Sequence, residues 1–530
     1  MRSISVALGL GAAVALAPCV ARAQDIEWEA LRAGITLPPA YHALVQQDPD
    51  FFTLRGAWIR KAAVARSAGV SVGGVLKLAV IPVLFADSPE PQYTPADIDR
   101  VYFTGPYVNG TITEFYAEGS GGRLHVTGAV APWVRTSLPR AAVVGSAYGI
   151  GGDARTGEFF WEALELADPS VEFGAFDNDG PDGVPNSGDD DGVVDVVAFE
   201  TIEVAGSCGN TDAIWPHRSS ISGWQGVPYV TDDLTPSGDS IRVNGYITQS
   251  VVDCDGVDIH TSGTMSHELG HVLGLPDIRH HVGGLEPQYR RWLIGCFGLM
   301  SGGSWGCDDV PRAQLRNASH MSPYAKQLMG WLSNVRIVEG GELVELTLPP
   351  VRTSEEVLQI PLAGSEYLIL EYRDRGGFDR VLPVAGVIAY HMDSTLSLIP
   401  CSTCVQHYRV YIVEADGQKD LLRSPLEGGN RGTASDVFIG GSISSHAFSP
   451  STRLNDGTRT DVEIYEIRIE GELAHITLST QRIADERLMQ FLVGSSADTL
   501  RTVEARFLDS AGNANGSYDV GDLRAYLIGR

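Results

Sequence analysis

The chain is short of positive charge. Its 39 lysines and arginines face 66 aspartates and glutamates, so the formal net charge is −27. Such an acidic chain is a poor candidate for binding nucleic acid, because it would have to overcome the phosphate charge. The surplus instead indicates a soluble protein that can hold cations. Hydrophobic residues make up 43% of the 530 residues, which excludes global disorder and predicts two to four domains of roughly 100–200 residues each.

Long apolar runs are also scarce, and the one that stands out lies at the beginning of the sequence. A positive Arg2 is followed by an apolar run over residues 6–17 and then by the small residues Ala21 and Ala23. This order is typical of a signal peptide, and the run is shorter than the about 20 residues of a membrane span. We therefore expect residues 1–23 to be a signal peptide. The protein is expected to be secreted, extracellular or periplasmic, and not to span a membrane.

Cysteine is infrequent as well, with seven residues in the chain, of which Cys19 falls in the predicted signal peptide. An even number of remaining cysteines in an exported chain predicts three disulfides. No thioredoxin-like pattern surrounds the last two, so a structural loop clip is favoured there over a redox motif. Their order along the chain suggests the pairs Cys208–Cys254, Cys296–Cys307 and Cys401–Cys404.

Changes in composition divide the rest of the chain, and no block repeats at a fixed period. Residues 24–75 end in a stretch of small residues, which indicates a prosegment or an N-terminal arm with a linker. Residues 76–335 combine a buried strand, an acidic loop and a helix, and we expect the catalytic domain there. Short alternating strands predict a β-rich, sandwich-like domain over 336–480. Residues 481–530 form a C-terminal segment with a second acidic loop.

A His-Glu-x-x-His motif occupies the centre of the sequence. On a helix, His267 and His271 lie one turn apart on the same face, so both imidazoles can reach one Zn²⁺. Glu268 projects beside them and can act as the general base towards a water that the metal activates. Gly274 allows the chain to leave the helix sharply, and Asp277 then returns towards the metal as a third ligand. This arrangement predicts a catalytic zinc site with one position left open.

The third zinc ligand has competitors. His280 and His281 are candidates because imidazole is the commoner zinc ligand, and Glu286 would serve if the site took a glutamate from a second helix. Spacing favours Asp277, which follows His271 by six residues, the span of a metzincin-type turn. The methionine in the segment 298–306 resembles the methionine turn that metzincin-type proteases place under their zinc histidines.

Two loops carry clustered oxygen ligands. In the first, six aspartates fall within 19 residues, and their repulsion is costly unless a cation offsets it. Oxygen ligands with interleaved glycines favour Ca²⁺ over zinc, although a solvated acidic loop is the plain alternative. We predict Ca²⁺ ligands at Asp177, Asp179, Asp189, Asp191 and Asp195. The second loop resembles half of a dockerin-like EF-hand and could tether the protein to a partner or surface. Its candidate Ca²⁺ ligands are Asp509, Asn513, Asn515, Asp519 and Asp522.

Several segments together resemble the immune inhibitor A-type secreted zinc metallopeptidases. The resemblance spans roughly residues 77–440 and rests on the segments 115–124, 177–195, 214–218, 267–277, 299–305, 371–379, 390–393 and 413–417. It implies an α+β protein with a zincin- or metzincin-like catalytic domain, an exported endopeptidase made with a removable prosegment. Its substrates would be proteins or peptides. The rival hypothesis is a secreted calcium-binding adhesive protein on a zincin-like scaffold, but such a protein has no need of the general base Glu268.

Overall fold

A computed structural model describes residues 38–528 apart from 49, 55, 282–286, 308–316, 342, 397–406, 448 and 495–499. The predicted signal peptide, the Cys401–Cys404 pair and Glu286 lie outside these described residues. Within them, no helix is both long enough and apolar enough to cross a membrane.

The described residues form a mixed α/β structure. Its helices are α1 (Pro39–Gln47), α2 (Ala57–Ala68), α3 (Pro95–Asp99), α4 (Ile112–Gly119), α5 (Arg140–Val144), α6 (Thr156–Ala167), α7 (Ile221–Gln225), α8 (Ser262–Val272), α9 (Pro323–Met329), α10 (Val351–Ser354), α11 (Asp485–Leu492), α12 (Thr502–Ala511) and α13 (Val520–Ile528).

The strands fall into two regions of the chain. The first region holds β1 (Gly74–Leu84), β2 (Leu124–Val130), β3 (Val134–Arg135), β4 (Val196–Thr201), β5 (His217–Ser220), β6 (Tyr229–Leu234), β7 (Ser240–Val243), β8 (Gly245–Ser250), β9 (His280–His281) and β10 (Arg290–Arg291). The second holds β11 (Asn334–Ile337), β12 (Val344–Leu348), β13 (Glu356–Ala363), β14 (Glu366–Arg373), β15 (Gly386–Asp393), β16 (Val410–Val413), β17 (Gly440–Ser444), β18 (Glu463–Glu470) and β19 (Leu473–Ser479).

A mostly parallel sheet forms the centre of the first region. Its strand order is β2-β1-β4-β8-β5, with β3 beside the end of β1, and only the edge strand β5 runs antiparallel to its neighbour. Because strand side chains alternate, β1 presents Leu78 and Val80 to the helix α8 side and Ala79 and Ile81 to the α6 side. Burial on both faces explains the continuous apolar run of β1 in the sequence.

The second region is a sandwich of two sheets. One sheet has the order β11-β13-β14-β15-β16 and the other β12-β19-β18-β17. Their facing side chains share one apolar core, to which β13 and β14 contribute Ile360 and Leu368 and the opposite sheet contributes Ile464 and Ile476. Helices α11–α13 pack against the outside of this second sheet around Tyr465.

The segment before β1 divides into two parts by its packing. Helix α2 belongs to the core of the first region, where Trp58 is 1% exposed. The linker after α2 is fixed in the same place, because Val72 donates its backbone N–H to Met329 O at 2.9 Å and accepts a hydrogen bond from the Trp331 indole at 2.7 Å. Residues 38–54 instead pack mostly in a small separate cluster around Trp215. The apolar packing of the first region therefore begins well before residue 76.

Two of the predicted disulfides are confirmed. Cys208 is bonded to Cys254 and Cys296 to Cys307. The second bridge closes the segment that contains Met300, next to the helix that carries the two motif histidines. The first bridge joins the loop after β4 to the loop after β8.

Candidate metal centre and active site

Helix α8 brings the two motif histidines together. Both side chains are buried, and His267 Nε2 lies 3.2 Å from His271 Nε2. After the helix, Gly274 adopts a positive φ of 78°, a conformation that favours glycine. This turn reverses the chain so that Asp277 comes back towards the histidines, as the sequence predicts.

Backbone carbonyls orient both rings. His267 donates its Nδ1 hydrogen to Leu299 O at 2.9 Å, and His271 donates its Nδ1 hydrogen to Leu275 O at 2.7 Å. In their neutral forms, both rings therefore direct Nε2 lone pairs at a common point, which is the usual arrangement of metal-binding histidines. Burial, reinforced by the positive charge of Arg218, holds the pKa of His271 well below its ordinary value.

Asp277 supplies a third atom at the same point. Its Oδ1 lies 3.1 Å from His267 Nε2 and 3.7 Å from His271 Nε2. Burial tends to raise the pKa of Asp277, but the guanidinium of Arg279 and the two imidazoles outweigh it and hold the pKa well below its ordinary value. Burial also tends to lower the pKa of His267. Contact with Asp277 outweighs this effect, so the pKa of His267 lies above its ordinary value when no metal is bound. A carboxylate between two imidazoles thus attracts a positive charge, either a proton or a metal ion.

The spacing of these three atoms fits zinc. Tetrahedral Zn²⁺ with bonds of about 2.0–2.1 Å has ligand atoms about 3.3 Å apart, close to the 3.1, 3.2 and 3.7 Å separations found here. Asp277 Oδ1 is buried without an ordinary hydrogen-bond donor, while its Oδ2 accepts a hydrogen bond from Arg279 at 3.0 Å. One carboxylate oxygen is thus fixed by an arginine and the other is free to bind a metal ion.

Glu268 stands beside these atoms. Its carboxylate belongs to the same group as the two histidines, whose ligand atoms all lie within 4.8 Å of one another. Glu268 Oε2 accepts a long hydrogen bond of 3.4 Å from Arg218 on the edge strand β5. The carboxylate is therefore close to the two imidazoles and also in contact with Arg218.

Met300 lies directly beneath the histidines. A β-carbon added to Gly270 would lie 2.5 Å from Met300 Sδ, so the helix and the methionine are in close contact between the two ligand positions. The same segment orients the site, because Leu299 O binds His267 and Met300 O accepts the backbone N–H of Ile278 at 2.7 Å. The segment in which the sequence predicts a methionine turn thus contacts the helix, and the turn's role stays a prediction.

The first acidic loop gathers some of the predicted Ca²⁺ ligands and not others. Carboxylate oxygens of Asp177, Asp179 and Asp191 lie within 4.8 Å of one another. Asp195 is buried beside them and accepts backbone hydrogen bonds from Lys77 at 3.1 Å and from residue 178 at 3.3 Å. Asp189 is outside this group: its carboxylate accepts hydrogen bonds from Ser187 and from the backbone of residue 182.

The electrostatics of this loop are unfavourable without a cation. Asp177 is fully buried and its Oδ1 has no hydrogen-bond partner. Burial, together with the nearby carboxylates of Asp190, Asp179 and Asp191, raises its pKa to about 8. Burial also raises the pKa of Asp195 to about 7. Carboxylates whose ionisation is unfavourable without a cation are suited to Ca²⁺, because the ion stabilises their charged form.

The remaining predicted ligands lie elsewhere. The ring of His280 contacts Tyr408, with 5.4 Å between ring centroids, and the His281 side chain lies outside the described residues. In the C-terminal loop, the three aspartates accept hydrogen bonds from amides of the loop itself. The carboxamides of Asn513 and Asn515 donate to Asp519. The loop is therefore closed by its own hydrogen bonds.

Sequence reasoning missed two features. Arg279, which fixes Asp277, immediately follows the predicted ligand turn and could have been noticed there. A second cluster of three carboxylates, among the described residues, combines Glu414, Asp416 and Asp436. The first two lie at the end of β16, but Asp436 is distant in sequence, and only the fold brings it to them.

Comparison with known proteins places helix α8 inside a region similar to known metalloproteases. Residues 96–332 match the model of the immune inhibitor A peptidase M6 catalytic domain. Over 216 residues, the chain is 30% identical to the pre-pro-metalloprotease PrtV of Vibrio cholerae serotype O1. The aligned part covers 38% of this chain and 22% of that protein. Over 223 residues, it is 30% identical to immune inhibitor A of Bacillus thuringiensis subsp. alesti. The aligned part covers 37% of this chain and 28% of that protein.

These matches show that residues 96–332 are similar to the catalytic domain of M6-class peptidases. The match confirms the resemblance to the immune inhibitor A family that the sequence motifs indicate. The chain spans less than a third of the length of each relative.

Proposed function

We propose that the protein is a secreted zinc metalloendopeptidase that hydrolyses peptide bonds in protein or peptide substrates. The observation that carries the proposal is the convergence of His267 Nε2, His271 Nε2 and Asp277 Oδ1, with Glu268 beside them. Two nitrogens and one oxygen are a typical ligand set for catalytic zinc, which keeps a further position open. Glu268 is the feature that a binding scaffold would not require.

Each residue of the site has its own role in the proposed hydrolysis. The two histidines and Asp277 would hold Zn²⁺, which supplies Lewis acidity towards a water and towards the scissile carbonyl. Glu268 accepts the proton of the attacking water and later donates it to the leaving amine nitrogen. Arg279 keeps Asp277 ionised and oriented through its 3.0 Å hydrogen bond. The carbonyls of Leu299 and Leu275 keep both imidazoles in the ligand tautomer.

Hydrolysis of casein by the purified protein, with its metal content measured in parallel, tests this proposal. We expect activity with one zinc per chain, loss of activity after chelation of that zinc, and recovery when zinc is returned. A protein that holds zinc and cleaves neither casein nor a peptide library would contradict the proposal. Calcium-dependent adhesion without hydrolysis would favour the adhesive alternative.

We also propose that Ca²⁺ stabilises the catalytic domain through Asp177, Asp179 and Asp191, with Asp195 adjoining them. The buried, unpartnered Asp177 Oδ1 and the raised pKa of Asp177 support this assignment, because both follow from repulsion that a cation would remove. Arg60 forms an ion pair with Asp191 at 2.6 Å, which offsets part of the repulsion from outside the loop. Calcium at the C-terminal loop remains a prediction, as does its role as a tether.

Finally, we propose that residues before helix α2 form the removable prosegment. Residues 38–54 contact the edge strand of the active site, where Ser219 Oγ donates to Phe51 O at 2.6 Å and Phe52 faces the His217 ring. Burial raises the pKa of Tyr41, and the charges of Arg218 and Asp277 act on the same hydroxyl. These contacts support a segment that covers the site until it is cleaved. Sequencing the N-terminus of the secreted form tests the boundary.

A further inference from the structure

The edge strand β5 fixes one side chain rigidly and directs its neighbour to the active site. His217 is buried, its Nδ1 donates to Trp215 O at 2.7 Å, and its Nε2 accepts from Tyr246 Oη at 2.8 Å. Tyr246 in turn accepts a 2.6 Å hydrogen bond from the Trp224 indole. Because successive side chains on a strand point to opposite faces, this anchoring of His217 sets the direction of Arg218.

Arg218 points to the catalytic helix. Its Nη1 lies 3.4 Å from Glu268 Oε2. The Arg218 and Glu268 side chains are 25% and 16% exposed. A partly solvated ion pair of this length adds little to the stability of a fold. A role in the reaction therefore explains this pair better than a role in stability does.

The contact distinguishes the two oxygens of Glu268. Arg218 holds Oε2, so Oε1 is the oxygen left to exchange a proton with the reacting groups. A carboxylate on a helix surface can rotate about several side-chain bonds, and a base works only within hydrogen-bond reach of the proton it removes. An arginine fixed by a rigid strand limits that rotation from outside the helix.

We propose that Arg218 is a positioning residue for the hydrolytic reaction, acting through Glu268. The proposal rests on the proposed peptidase function, since it assigns Arg218 no role in the absence of that base. It predicts an effect on turnover and not on zinc binding, because Arg218 contacts the base and Asp277 is held by a different arginine. It also predicts that the guanidinium matters only while Glu268 carries a carboxylate.

The test measures kcat, KM and zinc content for the processed, secreted protein and for Arg218→Ala and Arg218→Lys. We expect Arg218→Ala to lower kcat about 10- to 100-fold, as misplacement of a reacting group does. Its KM should change less than about threefold and its zinc should stay stoichiometric. Arg218→Lys, which keeps a positive charge within reach of Glu268, should recover part of the loss. Arg155→Ala is the matched control, because it breaks an exposed pair with Glu158 on helix α6.

A double-mutant cycle separates positioning from other roles. In the Glu268→Gln background, the further change Arg218→Ala should leave the small residual rate unchanged, because the carboxylate that Arg218 positions is gone. A full additional loss in that background would show that Arg218 acts on the substrate directly and would overturn the proposal. Loss of zinc from Arg218→Ala, or a kcat equal to that of the parent, would overturn it as well. If the parent protein holds zinc and hydrolyses no peptide, the proposed function itself fails, and this inference fails with it.

Discussion

The Sδ atom of Met300 packs against Gly270, at the position that a β-carbon would occupy. Gly270 lies between His267 and His271 on helix α8, and a β-carbon at this position would come within 2.5 Å of Met300 Sδ and 3.1 Å of its methyl carbon. No ordinary side-chain packing allows such a distance. The methionine therefore supports the helix at the point where both ligand histidines project, and glycine is required there because of its size.

We expect Gly270→Ala to disturb the metal centre, although alanine normally stabilises the interior of a helix by roughly 1 kcal/mol relative to glycine. The added methyl must displace either the helix or Met300, and overpacking of this kind costs about 1–3 kcal/mol. Zinc affinity and the melting temperature should both fall. Gly152→Ala is the control, because a β-carbon there meets nothing within 4 Å. Met300→Ala combined with Gly270→Ala should recover part of the loss, and two additive losses would contradict the explanation.

Asp277→Ala should release zinc, with an affinity lower by orders of magnitude, because it removes one of three ligands and leaves Arg279 without its partner. His280→Ala and His281→Ala should retain the metal, since the ring of His280 lies against Tyr408. Metal analysis of the three variants decides between these candidates. Zinc kept without Asp277 and lost without either histidine would make the ligand assignment wrong.

Calcium should raise the melting temperature of the metal-stripped protein. A ligand that binds only the folded state adds about 2.7 kcal/mol at a hundredfold excess over its Kd. Asp179→Ala and Asp191→Ala should reduce that increase, and Asp182→Ala, on the exposed side of the same loop, should leave it intact. The comparison is repeated on a chain that ends near residue 480, so that the C-terminal loop does not contribute. An unchanged melting temperature in that chain would count against the site.

The calcium effect should also depend on pH. Asp177 has a pKa of about 8 in the metal-free fold, against an ordinary value of 3.8. Between these values the native state holds a proton that the unfolded chain has lost, so the stability of the metal-free protein should fall as the pH rises from about 4 to 8. Bound Ca²⁺ replaces that proton, and the increase in melting temperature with calcium should grow over the same interval. An increase with calcium that is constant from pH 5 to pH 8 would contradict this.

The convergence of His267, His271 and Asp277 could be predicted from the sequence because its determinants are local. His267 and His271 are separated by one helical turn, and Gly274 permits the reversal that returns Asp277. The strands of the central sheet and of the sandwich are likewise local patterns of apolar residues. Cys208–Cys254 and Cys296–Cys307 follow the simplest order of pairing along the chain.

The features that the sequence did not reveal depend on long-range packing. The contact between Arg218 and Glu268 joins an edge strand to a helix, and no spacing in the chain indicates it. Helix α2 enters the apolar core of the first region although the small residues after it suggest a linker. Asp189 resembles its neighbours in the acidic loop, but its hydrogen bonds with Ser187 place it apart from the carboxylate group. In each case, tertiary contacts determine where the residue or the helix lies.

Glu268→Ala, assayed for hydrolysis and for bound zinc in the same preparation, tests the central claim most directly. Glu268 is proposed as the base and not as a ligand, so the variant should keep one zinc per chain. Its hydrolysis should fall at least about 10²–10⁴-fold, the usual cost of losing a general base. Near-normal hydrolysis with stoichiometric zinc would contradict the account.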